Sequence, residues 1–197
     1  MSSCGISGSF SSAWQNVALQ YLVANNNSIS ALWSPSSTQL TQLVHINMND
    51  NPVVSIPGLG AAATALKYLL CHNCQIAGPI SSDIYSIPGL VALDLGSNQL
   101  SGALPAFASI STLIALDLSS NSLSGEPLPL LQSMSGTHPL LYIDVSHNNF
   151  QLCNASTFGT TLNFQVDPSA FCSAVCQTFA ETISAACIQA WTHCTLA

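Results

Sequence analysis

Apolar residues return along this chain in a frame that fits neither a helix nor a simple alternation. Leu90, Leu93, Leu95 and Leu100 show it with Asn98 before the last; Leu113, Leu116, Leu118, Asn121 and Leu123 repeat it at the same spacing. Upstream the frame is filled by Leu66, Leu69, Cys71, Cys74 and Ile76, by Leu43, Ile46, Met48, Asn51 and Val53, and by Leu19, Leu22, Ala24, Asn27 and Ile29. Downstream, Leu140, Ile143, Val145, Asn148 and Phe150 fill it once more. The Asn or Cys falls at 27, 51, 74, 98, 121 and 148, giving intervals of 24, 23, 24, 23 and 27, and a further step back of 23 lands on Cys4. A unit of this length cannot bury its own apolar face, so it must stack on copies of itself.

The frame predicts one short strand per repeat, with the strands side by side and parallel, and each position stacked on its equivalents above and below. Where the chain turns inward after the strand, a buried Asn offers amide donors and an acceptor to backbone groups of adjacent turns. Leucine there would strand those groups at about 1 to 3 kcal/mol each. Cys is small, tolerates burial and is a weak donor. Cys4, Asn27, Asn51, Cys74, Asn98, Asn121 and Asn148 are therefore expected to form a structural ladder.

The residues after the ladder position include Leu100-Ser101-Gly102-Ala103-Leu104-Pro105, Leu123-Ser124-Gly125-Glu126-Pro127 and Ile76-Ala77-Gly78-Pro79-Ile80. They resemble the Leu-Ser-Gly-x-Ile-Pro signature of plant-type leucine-rich repeats, whose members include receptor ectodomains and polygalacturonase-inhibiting proteins. The resemblance spans about residues 4 to 150; Ser30-Ala31-Leu32-Trp33 and Val54-Ser55-Ile56-Pro57 lack the glycine, and the last repeat is stretched around Ser133 to His138. It implies an α/β solenoid: a right-handed superhelix with a parallel sheet on its concave side and short irregular or helical turns on its convex side. Residues 1–150 then form the solenoid, about six repeats after a partial first one, and 151–197 a C-terminal capping segment. In function it implies a non-catalytic module that recognises a protein, peptide or polysaccharide, with a cytosolic scaffold as the alternative.

Charge narrows the partners. Charged residues are 5% of the chain, against about 25% in an ordinary soluble domain, so Ser, Thr, Asn and Gln must cover the surface. Lys67 is the one basic residue against eight acidic ones, which excludes nucleic acid and anionic membrane surfaces held by charge. No run of about 18 apolar residues lacks polar interruption; the best stretch, Phe171 to Trp191, carries Gln177 and Glu181. Met1 to Gly8 has neither the basic start nor the apolar run of a secretory leader, so the chain is expected to be cytosolic or incomplete. Eight cysteines and the sequons at Asn26 and Asn154 point instead to a secreted, glycosylated and oxidising setting.

Three motifs imitate chemistry. Cys71-His72-Asn73-Cys74 has C-x-x-C spacing, but Cys71 fills a strand Leu position and Cys74 the ladder position, so both are expected in the core, holding no metal and performing no redox step. Asp144, Ser146 and His147 are the residue types of a hydrolase triad, yet as neighbours on one strand and turn they cannot relay a proton in sequence. No catalytic residue is expected. Asp94, Asp117 and Asp144 share one strand position and should form a row about 4.7 Å apart, close enough to hold a cation or polar ligand, though Asp is common there in the family.

The same face offers Tyr21, Val23 and Asn25, then His45, Asn47 and Asn49, then Tyr68, Leu70 and His72 as exposed positions, whereas Ala92, Gly96, Ala115 and Ser119 further along are small. Rings beside amides suit peptides or sugars. The candidate ligand-binding residues are thus Tyr21, His45, Asn47, Tyr68, His72, Asp94, Asp117, Tyr142 and Asp144, with no cofactor or metal expected. Past the repeats, Asp167-Pro168 starts a predicted helix with Phe171, Val175, Phe179 and Ile183 at helical spacing. Cys172, Cys176, Cys187 and Cys194 lie on nearly one side of it. One long capping helix, or a hairpin stapled by two disulfides, fits the pattern; oligomeric state and ligand identity stay open.

Overall fold

The computed structural model describes residues 3–10, 19–32, 41–56, 59–60, 63–104, 112–125 and 142–150. The chain divides into two units, Met1–Ala155 and Ser156–Ala197. The second lies outside the described residues, and with it the expected cap helix, its four cysteines and their pairing; the sequon at Asn154 lies outside them too.

The described elements run β1 (Ser7–Ser9), β2 (Tyr21–Val23), β3 (Ser28–Ala31), β4 (His45–Asn47), β5 (Tyr68–Leu70), β6 (Ala77–Gly78), α1 (Ser82–Tyr85), β7 (Ala92–Asp94), β8 (Gln99–Ala103), β9 (Ala115–Asp117), β10 (Ser122–Gly125), β11 (Tyr142–Asp144) and β12 (Asn149–Phe150). One strand per repeat builds a six-stranded sheet in the order β11-β9-β7-β5-β4-β2, parallel throughout. The strands are short, but their pairing continues past their ends. Cys71 N donates to Asp94 O at 2.8 Å and Asn73 N to Gly96 O at 3.0 Å, and Leu95 and Ser97 repeat this toward Asp117 and Ser119.

That continuation requires a sharp turn at a fixed place. Asn26, Asp50, Asn73, Ser97, Ser120 and His147, each one residue before a ladder residue, all have φ between 49° and 57°. Such left-handed non-glycine residues cost on the order of 1 kcal/mol or more and persist where surrounding bonds over-determine them. Here the turn swings the next side chain inward, onto the backbone it satisfies.

A second set of strands follows the ladder residue. β6, β8, β10 and β12 form a four-stranded sheet and β1 pairs with β3, where irregular or helical turns were expected. The physical reason lies in Leu-Ser-Gly itself: Ile76, Leu100 and Leu123 are buried, their neighbours face outward, and this alternation is a strand pattern too brief to stand out. Gly78, Gly102 and Gly125 then bend the chain at φ 83° to 84°, where a Cβ is strained. Among the described residues the sole helix is α1, capped by Ser81, whose hydroxyl accepts from Asp83 N, with Ile84 and Tyr85 buried.

The core is the stack of frame positions. Leu43, Ile46, Met48, Leu66, Leu69, Cys71, Leu90, Leu93, Leu95, Leu113, Leu116 and Leu118 are each no more than 2% exposed. Toward the ends burial relaxes: Ile6, Phe10, Leu19, Ile143, Val145 and Phe150 are partly buried against that core. Among the described residues no helix is long and apolar enough to cross a membrane.

Candidate functional site

The ladder fixes the face on which function has to be sought. Asn51, Asn98, Asn121 and Asn148 each donate Nδ2 to carbonyls two and three residues back and to one in the preceding repeat, and accept a backbone N–H of that repeat on Oδ1. Asn27 accepts from Cys4 N and Ile6 N. Cys74 does part of the same work, its Sγ donating to Met48 O at 3.4 Å and to His72 O at 3.7 Å. Cys71 and Cys74 are free thiols. The hydrogen bond to Cys74, reinforced by burial, pushes the Cys71 thiol well up, which disfavours a reactive thiolate.

With the inward positions committed to the core, the outward ones form rows across the six-stranded sheet. Tyr21, His45, Tyr68, Ala92, Ala115 and Tyr142 are in register. The rings of Tyr21 and His45 lie 6.4 Å apart and those of His45 and Tyr68 5.6 Å apart, both tilted, within the range of favourable aromatic contact. Tyr21 is 62% exposed and Val23 beside it 39%. Burial holds the His45 imidazole below its ordinary value, so this ring is uncharged at neutral pH. The buried alanines Ala92 and Ala115 separate this patch from Tyr142.

The next row is Val23, Asn47, Leu70, Asp94, Asp117 and Asp144. Its polar members close their strands. Asn47 Oδ1 accepts from Asn49 N, Asp94 Oδ1 from Gly96 N, Asp117 Oδ1 from Ser119 N and Ser146 N donates to Asp144 Oδ1, at 2.9 to 3.1 Å. Asp94 and Asp144 are buried, and so are Leu70 and Asn49; the expectation that the latter two are exposed is corrected. Leu70 lies in, and Asn49 just beyond, a strand paired on both sides, and burial by the stack is not revealed by one repeat's own pattern. The Asn49 Nδ2 has no hydrogen-bond partner among the described residues.

One pair of rows converges. His72 Nδ1 stands 3.2 Å from Asp94 Oδ1, while His72 N donates to Asn49 Oδ1 at 2.8 Å. Donor atoms of His72, Asp94 and Asp117 all lie within 4.8 Å of one another. The hydrogen bond to Asp94 raises the His72 imidazole. Burial and then the Asp94 charge push Asp117 up to about 6. Asp144 stays outside this group and accepts the Tyr142 hydroxyl at 3.4 Å. The row of three aspartates therefore exists in register, but its chemistry is that of two aspartates and a histidine. His72 had been placed with the aromatic patch; it follows by two residues Leu70, which pairs with Asp94, and that offset is the signal that could have linked them.

The triad residues do not assemble. Asp144 accepts the Ser146 backbone N–H, His147 occupies the left-handed turn at φ 53°, and no side-chain hydrogen bond joins His147 to either among the described residues.

A leucine-rich-repeat family model matches residues 112–134. Solved structures extend the likeness. The plant peptide hormone receptor RGFR1 in complex with RGF2 is 26% identical with a TM-score of 0.65, over 74% of this chain and 23% of that one. The Arabidopsis receptor kinase HAESA ectodomain in complex with an N-terminally extended IDA peptide hormone is 30% identical with a TM-score of 0.64, over 73% and 24%. The ectodomain of the receptor kinase SOBIR1 from Arabidopsis thaliana is 26% identical with a TM-score of 0.56, over 66% and 71%. The chain thus spans about a quarter of the length of the two hormone-bound receptors. None of the curated proteins matches it.

Proposed function

The chain is a leucine-rich-repeat protein with repeats of the plant type, and we propose that it is a non-catalytic recognition module that binds a peptide along its concave face, outside the cell. The observation that carries this is the contiguous ring row Tyr21, His45 and Tyr68. It is set beside Asn47 and the His72, Asp94 and Asp117 group on one sheet. Exposed rings give apolar area at small conformational cost, and the flanking amide and carboxylates supply acceptors for a peptide's N–H groups.

Support from other proteins is of the same kind, since two similar structures are titled as receptors holding peptide hormones. Asp117 and Tyr142 extend the surface away from the rings, with buried Asp144 accepting the Tyr142 hydroxyl. The groups nearest to a reaction are already engaged as strand-closing acceptors, and this supports a binding role. For location, exposed Asn26 heads a glycosylation sequon; glycan on Asn26 or Asn154 in protein from its native source is the expected finding, and bare asparagines with reduced cysteines throughout would favour the cytosolic scaffold.

The test of the binding surface is selection from a random peptide library displayed on phage. Peptides enriched on the wild-type chain should lose at least about tenfold in affinity for the Tyr21→Ala, His45→Ala, Tyr68→Ala triple variant, since truncating central aromatic contacts typically costs more than about 1.4 kcal/mol. Equal affinity for both would remove the patch from the account.

A further inference from the structure

We propose that His72, Asp94 and Asp117 form a site for a divalent cation of the zinc type, open on the side of the concave groove. The same three residues flank the peptide surface proposed above, but zinc binding requires no peptide and is tested with the metal alone.

The donor set selects the ion. Two carboxylates and one imidazole suit borderline cations, whereas calcium and magnesium favour oxygen alone. The geometry is close to what such an ion needs. With metal–ligand distances of about 2.0 to 2.1 Å, neighbouring ligands of a tetrahedral ion stand about 3.3 Å apart; His72 Nδ1 and Asp94 Oδ1 are 3.2 Å apart. Asp117, within 4.8 Å of both, has only to swing inward.

Each carboxylate is already oriented by a backbone N–H on Oδ1, from Gly96 and from Ser119, and Asp117 Oδ1 also accepts the Ser119 hydroxyl at 2.7 Å; such outer-shell bonds hold ligating carboxylates in place. Gly96 lets the ligands approach one another. A Cβ there would lie 2.7 Å from His72 Nδ1, 2.9 Å from His72 Cε1 and 2.9 Å from Asp117 Oδ1, so a side chain at this position would push the imidazole and the carboxylate away. The equivalent positions in the other repeats are Asn25, Asn49, His72, Ser119 and Ser146, and Gly96 alone has no side chain.

Charge leads to the same conclusion. Lys67 is the chain's only Lys or Arg, and the two carboxylates of the cluster face a single imidazole. The excess of negative charge there favours a cation. The His72 side chain is 33% exposed and that of Asp94 12%, so an ion has a path from solvent, and three protein ligands leave a fourth position facing the groove.

Calorimetric titration of the whole chain with zinc chloride tests this. One equivalent should bind, and Asp117→Asn, which keeps the side-chain shape, should weaken it at least about tenfold, as should His72→Gln and Gly96→Ala. Because the chain has eight cysteines, cobalt chloride is added in parallel: the site should give d–d bands without a sulfur-to-metal charge-transfer band. Should Asp117→Asn fail to fold, His72→Gln carries the comparison, with circular dichroism as the control. Zinc binding unchanged by these variants, a cobalt spectrum of thiolates alone, or no binding at all would each overturn the site.

Discussion

Replacing Asn98 by Ala removes four hydrogen bonds from the middle of the solenoid, but the cost is set by the groups left without another partner. Leu95 O keeps the Asn121 Nδ2 at 3.0 Å and Gly96 O keeps Asn73 N at 3.0 Å. The Cys71 carbonyl, 2.8 Å from Asn98 Nδ2, and the Ile76 N–H, 3.1 Å from Asn98 Oδ1, lose theirs inside the core. At about 1 to 3 kcal/mol for each stranded buried group, the expected loss is about 2 to 6 kcal/mol. Asn27→Ala supplies the internal control: Ala24 O keeps the Asn51 Nδ2 and Asn25 O keeps Ser3 N, the Cys4 N is exposed and can turn to water, and one part-buried donor, Ile6 N, is stranded, so the loss should be smaller, about 1 kcal/mol. Equilibrium unfolding in urea, followed by circular dichroism, measures both. A loss for Asn98→Ala below about 1 kcal/mol, or equal losses for the two variants, would refute the view that satisfaction of buried backbone groups sustains the turns.

Gly102→Ala places a Cβ at φ 84° and should lower stability by about 1 to 2 kcal/mol, read as a fall in the thermal midpoint. For His45 the imidazole is held below its ordinary 6.5 by burial, so its contribution is fully present above that value and is lost as pH falls through the lower folded one; the drop in thermal midpoint between pH 7 and pH 5 should shrink in His45→Gln. Alkylation of the native protein, mapped by mass spectrometry, should modify exposed Cys4 readily and buried Cys71 and Cys74 only after unfolding; fast labelling of Cys71 would contradict its place in the core.

The apolar frame and the Asn and Cys positions were legible in the sequence because each repeats at a near-constant interval, and a recurring position in a stacked unit is a recurring environment. Leu93 and Leu116 show this, both fully interior and in register. The strands after the ladder were not legible, because three residues such as Ser122-Leu123-Ser124 carry too little alternation to separate a strand from a turn. Nor was the shared left-handed conformation, although Asn, Asp, Ser and His before each ladder residue are the short polar types that tolerate it. On the six-stranded sheet the row positions followed from register, whereas the burial of Leu70 and Asn49 and the meeting of His72 with Asp94 depend on the packing of one repeat on the next. Gly96 is the clearest case: its consequence is the closeness of His72 and Asp117, two residues 45 positions apart in the numbering.

The most direct measurement of the central claim is a map of where a selected peptide lies. A library-enriched peptide carrying a photoreactive side chain, irradiated on the wild-type chain and analysed by mass spectrometry, should cross-link to Tyr21, His45, Tyr68 or His72. Cross-links confined to the opposite strands, such as Gln99 to Ala103, would contradict recognition on the concave face.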